Sequence, residues 1–241
     1  MAFPALSATM PTPMPLDIGV LISGRGSNLQ AILDAIAAGT LDARVRLVIS
    51  NRPGVQGLAR AEAFGVPTCV VSHKDFDSRQ AFDAAMVDAL RSKGASWIVL
   101  AGFMRIVTPV LLDAFPYRVI NIHPSLLPAF PGVSAQAAAL AHGVRIAGCT
   151  VHLVDSGTDT GPILAQAAVP VLDDDTEASL SERILCREHE LLVHVLSAIA
   201  RGKLVVEPRH GDVRIRARLG GLPAALGVEH VSLGKRTEDS T

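Results

Sequence analysis

The sequence predicts an α/β fold: a mostly parallel, twisted sheet with helices on both faces and a ligand cleft at the carboxyl ends of its strands. Three observations carry that expectation. Short apolar runs alternate with helical patterns from residue 17 to residue 153, the signature of strands joined by helical crossovers. A hydrophobic content of 49% against 19% charged residues in a chain of 241 requires a sizeable core. The first apolar run passes through a glycine loop directly into a helical pattern, an arrangement that leaves unpaired backbone N–H groups at the top of a sheet.

In order, the candidate strands are Ile18 to Ser23, Val45 to Ser50, Thr68 to Val71, Trp97 to Leu100, Val119 to Ile122 and Cys149 to Val154. Helical spacing is clearest at Leu29, Ile32, Leu33 and Ile36, and again at Phe82, Met86, Ala89 and Leu90. No repeat or low-complexity block interrupts the pattern. Residues 1–15, with four prolines, lack the basic and apolar regions of a signal peptide and are expected to be a flexible leader. Residues 16–218 should form one domain. Near its end Val213, Ile215 and Ala217 alternate with Arg214, Arg216 and Arg218, as in a short edge strand, and residues 219–241 read as a polar, flexible tail.

The net charge of -1 argues against a long nucleic-acid footprint, so small-molecule substrates are the expected partners. No stretch reaches the ~18 to 20 apolar residues of a membrane-spanning helix. Cys69, Cys149 and Cys186 are widely separated, with no metal or redox spacing. They are read as reduced, buried thiols of a cytoplasmic protein, and the other histidines, including His73, His142 and His152, show no metal-ligand grouping. No metal is assigned.

The loop Gly24-Arg25-Gly26-Ser27-Asn28 precedes a helix expected to begin near Leu29. Its glycines let the backbone approach an anion, and Ser27 or Asn28 can cap the helix. A dinucleotide site would place a third glycine at position 29 and an acidic residue after the second strand, where this chain has Ser50-Asn51-Arg52. A phosphate monoester fits better, although such a loop can also be a plain helix start.

Asn121 and His123 flank one residue at the end of a strand, so their side chains share a face. Together they offer a donor for a developing oxyanion and a group that moves a proton. Asn-x-His-Pro is also compatible with an ordinary strand-ending turn. Downstream, Asp159 in Val154-Asp155-Ser156-Gly157-Thr158-Asp159-Thr160-Gly161-Pro162 supplies a third partner. Glu188 falls inside the apolar stripe Leu180, Ile184, Leu191, Leu192 and Val195, and a carboxylate there needs a partner: sugar hydroxyls, a substrate amine, or Arg183 or Arg187 if the helix rolls. Phe103 and Met104, after the fourth strand, suit either the core or a pocket for a flat ring.

Four segments together resemble the phosphoribosylglycinamide formyltransferases: Ser23-Gly24-Arg25-Gly26-Ser27-Asn28, Ala101-Gly102-Phe103-Met104-Arg105-Ile106, Asn121 to Pro128, and Asp159-Thr160-Gly161-Pro162. The resemblance covers about residues 16 to 207. It implies a formyltransferase-like fold, an N-terminal half that holds the ribonucleotide phosphate, a C-terminal half that holds folate, and 10-formyltetrahydrofolate as co-substrate. Gly26, Ser27, Asn28 and Glu188 would bind glycinamide ribonucleotide. Arg79 would reach the folate; Met104, Arg105, Ile106 and Val107 would line the pterin pocket, with Asn121 beside it; and Asp155, Ser156, Gly157, Thr158 and Asp159 would close over it. Asn121, His123 and Asp159 match the catalytic trio. Where family members often carry a His after Pro131-Gly132, this chain has Ser134-Ala135-Gln136.

Formyltetrahydrofolate deformylase is the nearest alternative, but such enzymes carry an extra N-terminal domain that a leader of this size cannot form. Methionyl-tRNA formyltransferase would need a further C-terminal domain. A non-catalytic nucleotide-binding module would explain the first loop and leave the trio without purpose. The oligomeric expectation is a monomer or homodimer.

Overall fold

The computed structural model describes residues 15–208 and 215–219. The leader up to residue 14, Val213 and Arg214 of the anticipated edge strand, and the tail beyond residue 219 lie outside the described residues.

Among the described residues seven strands form the main sheet, in the order β3-β2-β1-β4-β5-β6-β7. They are β1 (Leu16–Ile22), β2 (Ala43–Ser50), β3 (Thr68–Val70), β4 (Trp97–Leu100), β5 (Val119–His123), β6 (Ile146–Leu153) and β7 (Ile163–Pro170). The pairs from β3 across to β5 are parallel, whereas β6 and β7 join antiparallel. Strand order therefore reverses at β1, with β2 on one side and β4 on the other. In open parallel sheets the crevice above such a reversal, at the carboxyl ends, is where ligands bind.

Among the described residues six α-helices accompany the sheet: α1 (Ser27–Ala37), α2 (Gln56–Ala63), α3 (Arg79–Ser92), α4 (Pro109–Ala114), α5 (Ala135–Ala141) and α6 (Glu177–Ala200). Burial on both faces explains the continuous apolar reading of the parallel strands. In β1, Ile18, Val20 and Ile22 pack into one core with α1, α2 and α6, while Leu21 points into a second core with α3 and α4. Thr176 caps α6 in a reciprocal pair with Ser179, which fixes where this long helix begins.

The expected strands and the helices at Leu29 and Phe82 are all present, but β7, α2, α4 and α5 carry too weak a pattern to be read. β7 is Ile-Leu-Ala-Gln-Ala-Ala-Val-Pro, alanine-rich and without clean alternation. Near the C-terminus β8 (Leu204–Pro208) pairs antiparallel with β9 (Ile215–Leu219) in a separate two-stranded ribbon. The cysteine reading needs correction: only Cys149 is buried, Cys69 is half-buried and Cys186 is exposed. Cys186 lies two residues before Glu188 on α6, about 200° round the helix from the buried stripe.

Candidate active site

The glycine loop leads from β1 into α1, which begins at Ser27 rather than near Leu29. Gly26 is the residue preceding the helix, in the left-handed region with φ 71°, and no side chain caps the start. The first intrahelical bond runs from the Gln30 N–H to the Gly26 carbonyl, so the amides of Ser27, Asn28 and Leu29 lack helical acceptors. This is an anion-receptive start. Gly26 is required on two counts, since a Cβ there would also lie 2.7 Å from the Gly57 Cα. The loop is stapled to α2 by the Gly57 N–H on the Gly24 carbonyl at 3.1 Å and by Arg60 Nε on the Arg25 carbonyl at 3.0 Å.

Asn28 does not cap the helix because its side chain is turned towards α6. Its Nδ2 donates to Glu188 Oε2 at 2.8 Å, and its Oδ1 is buried without a hydrogen-bond partner among the described residues. Glu188 is 7% exposed. Burial pushes its carboxyl up to about 7, against the Asn28 amide, which pulls it down. Neither arginine takes it: Arg183 pairs with Asp175 at 2.7 Å and Arg187 with Glu190 at 2.9 Å. Nearby, burial and then the Glu188 charge push the Cys149 thiol up to about 12.

Asn121, His123 and Asp159 are drawn together. Along β5, Ile120 and Ile122 enter the α1–α6 core while Val119 enters the α3–α4 core, so Asn121 and His123 share the latter face. The loop between β6 and β7 crosses that face. Asp159, at φ 55°, turns its carboxylate inward: Oδ2 accepts from the Gly132 N–H at 2.8 Å and lies 3.3 Å from His123 Nδ1. The Asn121 Nδ2 donates to its Oδ1 at 3.4 Å. His123 Nε2 lies 2.8 Å from the Phe130 carbonyl. Both ring nitrogens of His123 thus face oxygens, Nδ1 the Asp159 carboxylate and Nε2 a backbone carbonyl. Burial alone would raise the Asp159 carboxyl, but His152, the Gly132 N–H and the charge of His123 hold it below its ordinary value.

His152 is the residue that sequence reasoning missed. It is paired directly across from Asn121 on β6, its Nε2 lying 3.2 Å from Asn121 Nδ2 and 3.5 Å from Asp159 Oδ1. Its Nδ1 lies 2.9 Å from the Leu153 carbonyl, and its Nε2 faces both the Asn121 amide and the Asp159 carboxylate. A histidine in the apolar strand from Cys149 to Val154 was the available signal; the missing information was the antiparallel register. The Asn121 amide is consequently engaged at its donor end, and a substrate oxygen has to compete for one of its hydrogens.

The remaining positions divide. Met104 and Ile106 are 62% and 55% exposed, and Arg105 is half-buried. Phe103 is core, stacked on Phe82, and Val107 also packs into the α3–α4 core. Arg79 is exposed at the first position of α3, and neither it nor Arg105 makes a hydrogen bond or ion pair among the described residues. Asp155 is committed to its own loop, accepting from the Gly157 N–H at 3.0 Å and the Thr160 hydroxyl at 2.7 Å, while Ser156, Gly157 and Thr158 are exposed. Ser134 and Gln136 stand at the start of α5, Ser134 with φ 58°. Among the described residues no cluster of three or more His, Cys, Asp or Glu could hold a metal ion, and no helix is long and apolar enough to cross a membrane.

The formyl transferase family model matches residues 16–196, which include the glycine loop, the trio and Glu188. The chain belongs to the formyl transferase family. A phosphoribosylglycinamide formyltransferase of Mycobacterium tuberculosis is 46% identical over 211 residues, 88% of this chain and 97% of that protein. The trifunctional purine biosynthetic protein adenosine-3 of Drosophila melanogaster is 48% identical over 79% of this chain, which spans only 14% of that longer protein. Among solved structures, glycinamide ribonucleotide transformylase 1 of Symbiobacterium toebii superposes with a TM-score of 0.82 at 49% identity, covering 86% of this chain and 95% of its own. This family member thus shares the mostly parallel α/β architecture of formyltransferases.

Proposed function

We propose that this protein transfers the formyl group of 10-formyltetrahydrofolate to the amino group of glycinamide ribonucleotide, in purine biosynthesis. The observation that carries the reading is the convergence of Asn121, His123 and Asp159 on one point, on the sheet whose carboxyl ends also present the uncapped amides of Ser27, Asn28 and Leu29. An anion anchored on those amides and a carbonyl set against Asn121 match a phosphorylated amine and a formyl donor.

The amine's lone pair attacks the formyl carbon, forming the new C–N bond and a tetrahedral centre that bears O⁻ and N⁺. A donor aimed at that oxygen is worth roughly 3 kcal/mol when preorganised in a dry site. Asn121 supplies it once the oxyanion outbids Asp159 or His152 for an amide hydrogen. Protonated His123 stabilises the same oxygen by its charge, and Asp159, kept ionised, holds that imidazolium in place. Collapse of the centre breaks the bond to the folate nitrogen, which takes up a proton as the attacking nitrogen loses one. Gly26, Ser27 and Asn28 hold the phosphate, and Glu188 receives the ribose hydroxyls or the amine. On the folate side, Met104, Ile106 and the arginines Arg79 and Arg105 offer an apolar face and positive charge to the pterin and its acidic tail, with the loop from Asp155 to Asp159 above it.

The test is a two-substrate assay of the purified chain. N-formyl product should form from both substrates without added metal or ATP. Formate released at the same rate with the ribonucleotide omitted would identify a deformylase instead.

A further inference from the structure

The segment joining β4 to α4 is held at both ends by buried side chains that belong to other elements. At its start, Phe103 stacks on Phe82 of α3 with ring centroids 6.5 Å apart and planes 11° from parallel. The Met104 N–H then donates to Ser23 Oγ at 2.8 Å, and the Ser23 hydroxyl in turn donates to Asn51 Oδ1 at 2.7 Å. Ser23 and Asn51 are both buried. At its far end the Thr108 N–H donates to Asp83 Oδ2. Between these pins, Met104 and Ile106 project into solvent.

Asp83 is a costly residue where it stands. It is 1% exposed, within the stripe Phe82, Met86, Val87 and Leu90, and its Oδ1 has no hydrogen-bond partner among the described residues. Burial raises its carboxyl, opposed by the Thr108 N–H and the charge of Arg79. Packing alone would favour an apolar side chain here. The same carboxylate connects α3, which carries Arg79 one turn earlier, to the arch that carries Met104 and Ile106.

We infer that Asp83, together with Ser23, is a positioning residue for the folate donor: the two side chains clamp the ends of the arch from Met104 to Val107, so that its exposed apolar side chains form a surface set before the pterin arrives. The inference rests on the folate side of the proposed reaction. A clamped arch spares the donor the ordering of a loop on binding, so releasing either end should weaken the donor and leave the ribonucleotide untouched.

Steady-state kinetics of the full chain test this. Asp83→Ala should raise KM for 10-formyltetrahydrofolate about tenfold or more, the scale of a lost charge-assisted hydrogen bond, with the ribonucleotide KM within about twofold. Asp83→Asn keeps an oxygen for the Thr108 N–H and should restore the donor KM to within about threefold of wild type. Ser23→Ala should move the same constant in the same direction, and serves if Asp83→Ala does not fold. Equal shifts in both KM values, an unchanged donor KM in Ser23→Ala, or Asp83→Asn as impaired as Asp83→Ala would overturn the inference. Wild-type protein unable to formylate the ribonucleotide would defeat the proposed reaction itself, whereas normal wild-type turnover with unshifted donor KM in the variants defeats only the clamp.

Discussion

Replacing Glu188 by Gln isolates the energetics of one buried carboxyl. Its folded value is about 7, against an ordinary 4.5. At ~1.4 kcal/mol per pH unit, keeping it ionised in the folded protein costs about 3 kcal/mol. Below pH 4.5 the group is protonated in both folded and unfolded chains and contributes no slope. Between 4.5 and about 7 the unfolded chain releases its proton while the folded chain retains it, so stability falls as pH rises. Above 7 the deficit is complete and the slope vanishes. Glutamine retains an oxygen for the Asn28 amide and removes the titration. Urea unfolding of both proteins across this range should give difference curves that are flat below pH 4.5, diverge up to about 7, and leave Glu188→Gln relatively more stable by up to about 3 kcal/mol at pH 8. Titrations elsewhere, including that of Asp159, are common to both proteins and cancel. Parallel curves would refute the claim that burial controls this group. In calorimetry the same variant should bind ribonucleotide more weakly with folate affinity unchanged; the reverse would refute the placement of Glu188 at the ribose.

Two further substitutions probe the trio. His123→Ala should lower kcat by at least about 100-fold while ribonucleotide affinity stays near wild type, and near-normal turnover would remove His123 from the mechanism. Gly161→Ala sets a Cβ 1.8 Å from the Leu153 carbonyl, so the end of the β6–β7 loop must shift and carry Asp159 with it. A kcat loss greater than tenfold, with a stability loss of about 1 to 3 kcal/mol, is expected; a wild-type kcat would show that Asp159 tolerates displacement.

The parallel half of the fold was legible because strands buried on both faces leave long apolar runs, and because the helices α1 and α3 keep a regular stripe. α5 and β7 were not, since alanine-rich segments suit either state and their conformation follows from what they pack against. In the site, the two-residue spacing of Asn121 and His123 already set them on one face, and the stripe of α6 already placed a carboxylate where solvent is excluded. Asn28 illustrates the limit: the sequence made it a cap candidate, while the meeting of α1 with α6 made it the partner of Glu188, 160 residues away.

By itself, then, the sequence determined the fold class and singled out the glycine loop before α1 and the residues proposed as the trio, because each follows from local periodicity, backbone geometry or a recognisable combination of motifs. Only the tertiary structure decided that His152 stands against Asn121, that Asn28 reaches Glu188, and that Asp83 and Ser23 hold the arch from either side. Those contacts depend on strand register and on helices crossing at a distance, and neither is written in the spacing of neighbouring residues.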